Sequence, residues 1–263
     1  PPPPPPPPTP QHSSAASDVY KRQGLHCEPK LDVGSVGLRP GAISSAADMA
    51  LITLSGPGGH TARPELTVDI VALAARIVSD LPGRVAARMA HLDPDHVPVV
   101  KLVFGSVRAG DAANVIPTTC VLKASIRTPS LPVWDELPGV VEQELRTLVE
   151  GSGADLDIDY THGVPPVVND AAVTGVVGDA AAWEFGVDAV QTVQQSWGGD
   201  DFAWFTREVP GTYVRLGVRD PQGPTLDLHA GLFDVDERAI AIGVRLLTAT
   251  VARYFDESSA DGS

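Results

Sequence analysis

Hydrophobic residues change their spacing several times along this chain, and each change predicts an element. An apolar run over residues 49–55 predicts a strand, and the stretch Gly56-Pro57-Gly58-Gly59-His60-Thr61-Ala62-Arg63-Pro64 predicts a glycine-rich turn after it. Ile70, Leu73, Ile77 and Leu81 then fall on one face of a helix. A strand is predicted over 97–107. Another follows over 120–128, where Cys120, Leu122, Ala124 and Ile126 alternate with Val121, Lys123, Ser125 and Arg127 in the period of a half-exposed sheet. Leu137, Val141, Leu145 and Leu148 mark a second helix, and 155–160 a closing strand. Across 47–163 that order is βαββαβ, the ferredoxin-like arrangement of one four-stranded antiparallel sheet with both helices on one side. Its edge strands can pair with a second copy, so a homodimer is expected.

The flanks have a different character. Gly24-Leu25-His26-Cys27-Glu28-Pro29 reads as the end of a strand, followed by loops to Gly41. After Gly163, Asn169 reads as the cap of a helix through Val173, Val176 and Val177 to Trp183, stopped by Gly186. Short apolar segments follow at 190–193 and 213–217. Asp234-Val235-Asp236-Glu237 resembles a capping box opening a last helix, with Ile240, Val244, Leu247 and Val251 as its buried stripe. Residues 24–46 and 164–255 therefore read as one α/β domain interrupted by 47–163, with its first half expected before Gly24. Residues 1–23 open with eight prolines and read as a disordered, non-native prefix meeting the globular sequence near Gln23, and 256–263 as a disordered polar tail.

Composition narrows the function classes. The 263 residues hold 19 Lys+Arg against 33 Asp+Glu, a net charge of -14, which argues against nucleic-acid or anionic-membrane partners because both need a basic footprint. Two cysteines, Cys27 and Cys120, are too few for a disulfide framework and fit a reducing, cytoplasmic compartment. No apolar run approaches the ~18 residues of a membrane span, and no phosphate loop supports a nucleotide-binding reading.

Three of the seven histidines are candidates for chemistry. His12, His91 and His96 read as surface and His162 as structural. His60 is presented on the bare glycine-rich turn, where it can donate a hydrogen bond or a proton outside its own domain. His26 reads as lying at the C-terminal end of a strand and His229 just before the last helix, both positions from which an imidazole can enter a cleft or bind zinc. Cys27 cannot join His26 on one metal, because strand neighbours point to opposite faces. Asp200 and Asp201, in Gly198-Gly199-Asp200-Asp201-Phe202, are either an ordinary helix start or acids that orient a ligand histidine. Asn114 and Arg127 read as lying on paired strands, where they could together clamp a substrate carboxylate, or as an ordinary turn asparagine and surface arginine.

Taken together, Gly24-Leu25-His26, the 56–64 turn, Asp69, Asn114-Val115-Ile116-Pro117, Arg127-Thr128, Gly199-Asp200-Asp201-Phe202, Val209-Pro210-Gly211 and Leu228-His229 resemble, in order and rough spacing, the metal-dependent amidohydrolases and zinc carboxypeptidases that include hippurate hydrolase and auxin-conjugate hydrolases. The resemblance runs from Gly24 to about Phe255. It implies an aminopeptidase-like catalytic domain with an inserted ferredoxin-like lid that mediates dimerisation, two divalent metal ions (zinc, manganese or similar), and hydrolysis of N-acyl amino acids or related small amides. It makes His26 and His229 metal ligands and His60 the residue that crosses the dimer to the scissile carbonyl, with Asn114 and Arg127 on the substrate. Asp200 departs from the family's usual glutamate. The family's early His-x-Cys-Gly-His-Asp motif and later Glu-Glu pair do not occur here, so the resemblance also implies an incomplete bimetal site, no general base and an inactive C-terminal piece. A dipeptidase or succinyl-diaminopimelate desuccinylase branch, and a dimerisation module without chemistry, are the alternatives.

Overall fold

A computed structural model describes residues 21–228 and 230–260, the side chains of 256–260 excepted. The proline-rich start, His12, His229 and residues 261–263 lie outside the described residues. In chain order the elements are β1 (Arg22–Asp32), β2 (Val36–Leu38), β3 (Gly41–Ala42), β4 (Ala47–Ser55), β5 (Gly59–His60), α1 (Ile70–Met89), β6 (Lys101–Ala109), β7 (Val115–Ile116), β8 (Thr119–Arg127), α2 (Leu131–Val149), β9 (Asp155–Val164), β10 (Val168–Asn169), α3 (Ala171–Phe185), β11 (Val190–Thr192), α4 (Ala203–Glu208), β12 (Gly211–Arg219) and α5 (Arg238–Ala260). The result is a mixed α/β fold with two four-stranded sheets and two short two-stranded ladders among the described residues.

One sheet runs β6-β8-β4-β9, every neighbour antiparallel. Alternation in β4 and β8 sends Ala50, Ile52, Leu54, Leu122, Ala124 and Ile126 into the same core as Ile70, Leu73 and Ile77 of α1 and Leu137, Val141 and Leu145 of α2. Both helices thus cover one face, while Met49, Val103 and Val107 are exposed. Helix α1 continues past Leu81, with Val85 and Met89 extending its buried stripe although Pro82 lies inside it. Strand β6 begins at Lys101 and not at 97, since Pro98 has no N–H to give a ladder and Val97 is exposed.

The other sheet runs β1-β12-β2-β11. Strands β1 and β12 are parallel, β12 and β2 antiparallel, β2 and β11 parallel. Residues 30–41, expected as loop, supply the end of β1 together with β2 and β3. Asp170 caps α3 by accepting from the Val173 N–H at 2.8 Å. Asn169, expected in that role, is instead buried in β10, where its amide donates to the carbonyls of Arg39 and Tyr213 and accepts from the Tyr213 N–H. The expected stripe of α5 is also corrected: Ile240 is 67% exposed and Val244 62%, while Ala239, Leu246 and Thr250 are buried. The helix is apolar on two sides, and its smaller residues, including Gly243 against Leu216 and Leu25, take the close contact with the sheet.

The chain passes between the sheets at the start of β4 and the end of β9, and Asp48 ties the two crossings together. Its fully buried carboxylate accepts from Trp134 Nε1 and the Gly163 N–H, each at 2.9 Å, and from the Tyr160 hydroxyl at 2.7 Å. Replacing Asp48 with alanine strands three buried donors and should cost about 3–5 kcal/mol, with Asp48→Asn losing less because one acceptor survives. Urea unfolding of the two variants checks the order.

Candidate active site

Candidate residues gather in two groups at opposite ends of β8. The first group sits where the two sheets meet. His26 lies in the middle of β1, not at its end, and pairs in register with Arg215 of β12. Parallel, in-register neighbours share a face, and on this face His26 approaches Tyr213, ring centroids 5.7 Å apart. Its Nδ1 lies 2.7 Å from the carbonyl oxygen of Cys27. A carbonyl can only accept, so the proton belongs to Nδ1 and Nε2 carries the free lone pair, the arrangement that orients a metal-ligating imidazole. Among the described residues no group of three or more His, Cys, Asp or Glu is placed to hold a metal ion, so His26 offers a single donor there. Cys27 turns the other way, into the cluster of Leu216, Val218 and Ala239. Burial raises its thiol pKa, in keeping with a packing role.

Asp200 reaches His26 only indirectly. One of its oxygens accepts from the Phe202 N–H at 2.9 Å, closing the turn into α4, and the other accepts from the Tyr213 hydroxyl. Tyr213 stacks on Phe202 with centroids 5.4 Å apart. Burial, followed by the hydrogen bond and charge of Asp200, raises the Tyr213 pKa, so the hydroxyl stays a donor. Asp201 is exposed. Arg127, last in β8, lies against the same turn: a Cβ on Gly199 would stand 3.4 Å from Arg127 Nη1 and 2.6 Å from the Ala47 Cβ, so only glycine allows the two sheets this approach.

The second group holds His60 and Asn114. Gly58, at φ 70°, bends the chain into β5, whose Gly59 and His60 pair with Ile116 and Val115 of β7. The Thr61 N–H donates to the carbonyl of Asn114 at 3.3 Å, so both residues ride on one small ladder, and both are exposed. His60 Nδ1 accepts from the Ala62 N–H at 3.0 Å, which puts the ring proton on Nε2. His60 is therefore a hydrogen-bond donor, the opposite tautomer from His26.

Within one chain Asn114 and Arg127 do not form a clamp. The eight steps of β8 between Thr119 and Arg127, at about 3.3 Å each, separate the two groups by about 26 Å. Sequence reasoning also missed Tyr213, Ser196, Trp197 and Arg215. The last had a readable signal, a single cation among the apolar residues of Tyr213-Val214-Arg215-Leu216.

Tyr160 shares the behaviour of Tyr213: burial and then the charge of Asp48 raise its pKa. Folded values above the ordinary ~10 mean that this stabilisation is whole below about pH 10 and is lost as the pH rises toward the folded values, at up to about 2.7 kcal/mol per pH unit for two groups. Ultraviolet absorbance titration should show Tyr160 and Tyr213 remaining unionised until the chain unfolds.

Comparison with known proteins adds context to this geometry. Residues 13–253 match the model of Peptidase family M20/M25/M40. The chain is 37% identical over 246 residues to a protein of Rhodococcus jostii (strain RHA1) whose name is that of a glutamate–cysteine ligase, covering 94% of this chain and 30% of that protein. It is 29% identical over 219 residues to an N-acetylcysteine deacetylase of Bacillus subtilis (strain 168), covering 83% of this chain and 55% of the relative. A crystal structure of a dinuclear metal-binding peptidase from the M20 family, from Bacillus subtilis, superposes with a TM-score of 0.70 at 24% identity, covering 91% of this chain and 59% of that one. The chain thus spans between 30% and 59% of the length of these relatives.

Proposed function

Because the chain belongs to peptidase family M20/M25/M40, a family of metal-dependent amide hydrolases, we propose that it serves the hydrolysis of the amide bond in small N-acyl amino acids. The observation that carries this reading is the pair of opposite imidazole tautomers on two separate groups, one a lone-pair donor at the sheet junction and the other a hydrogen-bond donor on an exposed turn. Divalent ions, when bound, supply Lewis-acid activation of water and of the amide carbonyl. His26, through Nε2, and His229 would be this chain's ligands. Arg127 would hold the substrate carboxylate with its guanidinium fork, steadied by the hydrogen bond from its Nε to Ser125 Oγ at 3.2 Å.

His60 and Asn114 stand about 26 Å from that centre along the strand, so they serve the site of a second copy. In this reading residues 47–163 are the ferredoxin-like lid, inserted between the 24–46 and 164–255 portions of the catalytic domain, and two lids join to make the homodimer. Edge strand β6 is unpaired on one side among the described residues, which suits such a junction. His60 of the partner subunit then points its Nε2–H at the carbonyl oxygen, where negative charge develops as the amide is attacked. Its own backbone fixes the proton on the outward nitrogen, so no rearrangement is needed at the moment of reaction.

Removing one such donor costs about 10²–10³-fold in kcat. In the complete enzyme that contains this chain, His60→Ala should show that loss on N-acetyl amino acids, with metal content by elemental analysis and mass by light scattering unchanged. Normal turnover by the variant would sink the cross-subunit role.

A further inference from the structure

Residues 196–199 form a loop at the sheet junction that the backbone holds rigidly. The Ser196 N–H donates to the carbonyl of Ile43 at 3.0 Å, the Ser45 N–H to that of Gly198 at 2.9 Å, and Ser45 Oγ to that of Trp197 at 2.8 Å. Three cations are set around it. Arg127 Nη1 lies against Gly199, Lys101 Nζ sits 3.9 Å from the centre of the Trp197 ring, and Arg215 Nη2 donates to Ser196 Oγ at 3.1 Å. Lys101 and Arg127 are also direct partners across β6 and β8. None of the three takes part in a salt bridge among the described residues, although the chain carries a net charge of -14 and most of the bridged cations are arginines of the outer helices.

Arg215 is the informative member. It is 8% exposed, in a strand that is buried throughout except at its last residue. Its guanidinium lies 5.1 Å from the centre of the Tyr213 ring and makes its one hydrogen bond among the described residues to the Ser196 hydroxyl. A guanidinium has five N–H donors, and a buried one without an anion pays its desolvation unrequited. Such a charge is retained where an anion arrives to meet it.

Resting on the hydrolase reading above, we propose that Arg215, oriented by Ser196 and flanked by Lys101, is a second carboxylate-binding position, so that the substrate is an amide carrying two carboxylates. Arg127 takes the carboxylate next to the scissile amide. The second belongs either to the side chain of an acidic amino acid or to a dicarboxylic acyl group. Both sources present the same planar anion to the same fork.

Isothermal titration of the full chain with matched pairs tests this. N-acetyl-L-glutamate is compared with N-acetyl-L-glutamine, and N-succinyl-L-alanine with N-butanoyl-L-alanine. In at least one pair the dicarboxylate should bind about tenfold tighter or better at low ionic strength, and the pair that shows it identifies the source. Arg215→Gln should abolish the preference and leave the monocarboxylate's affinity unchanged. Where that variant does not fold, Ser196→Ala should weaken the dicarboxylate alone. Equal binding within both pairs, no binding of any ligand, or a folded Arg215→Gln that keeps the preference overturns the proposal. Hydrolysis of N-acetyl-L-alanine by the complete enzyme that contains this chain is followed in parallel: turnover without carboxylate preference removes this inference and leaves the hydrolase reading, whereas preference without turnover does the reverse.

Discussion

A single buried carboxylate fixes where the chain enters and leaves the β6-β8-β4-β9 sheet. Asp48 receives Trp134 from α2, Tyr160 from β9 and the backbone of Gly163 at the return crossing. Three donors on one acceptor repay the cost of burying a charge. Asp48 also pairs in register with Ile126, the residue before Arg127. The same carboxylate therefore anchors the end of the sheet from which Arg127 reaches Gly199. Around it Trp134 packs against His162 with the rings tilted, centroids 3.8 Å apart, and carries the Arg207 guanidinium of α4 at 5.2 Å. Contacts across the junction are thus aromatic and charged, and they converge on the strand ends that hold the site.

Rigidity at that junction matters because the chemistry depends on where protons sit. His26 and His60 are the same residue type, yet the backbone groups beside them assign opposite tautomers. A carbonyl at Nδ1 makes His26 a lone-pair donor; an N–H at Nδ1 makes His60 a proton donor. Neither assignment relies on a titrating partner. Tyr213 supplies the third fixed proton, held neutral by burial and by Asp200. Asp200 spends its reach on the turn and on Tyr213. Its influence on His26 passes through an aromatic ring.

The legible parts of the sequence were those where one face of an element is apolar and the other is not. Strands β4 and β8 and helices α1 and α2 have a single buried face, so spacing alone located them. Helix α5 misled because Ile240 and Val244 lie on its exposed side, while Ala239, Gly243 and Leu246 meet the sheet. Hydrophobicity records volume, and a close helix–sheet approach needs small residues. The site divided in the same way. His60 and Arg127 were marked by motif, but β7, two residues long, takes Asn114 to the His60 turn, and no periodicity reports so short a ladder. Arg215 was overlooked because a charge in a short apolar run looks like an interruption, whereas the register sets it beside His26.

Charge distribution gives that last point its weight. On a chain with fourteen more formal negative charges than positive, an incoming anion meets an adverse field over much of the surface. A dicarboxylate could bind only where local cations outweigh that field, and screening over about 8–10 Å at ordinary ionic strength confines the decision to the nearest groups. Lys101, Arg127 and Arg215 are placed around one pinned loop, with no carboxylate in salt-bridge contact among the described residues. The cationic loop therefore opposes the field of the acidic exterior, so discrimination between anions and other molecules begins at the loop. Discrimination of this kind needs no lid closure to begin, because it is set by charges already fixed to the strands.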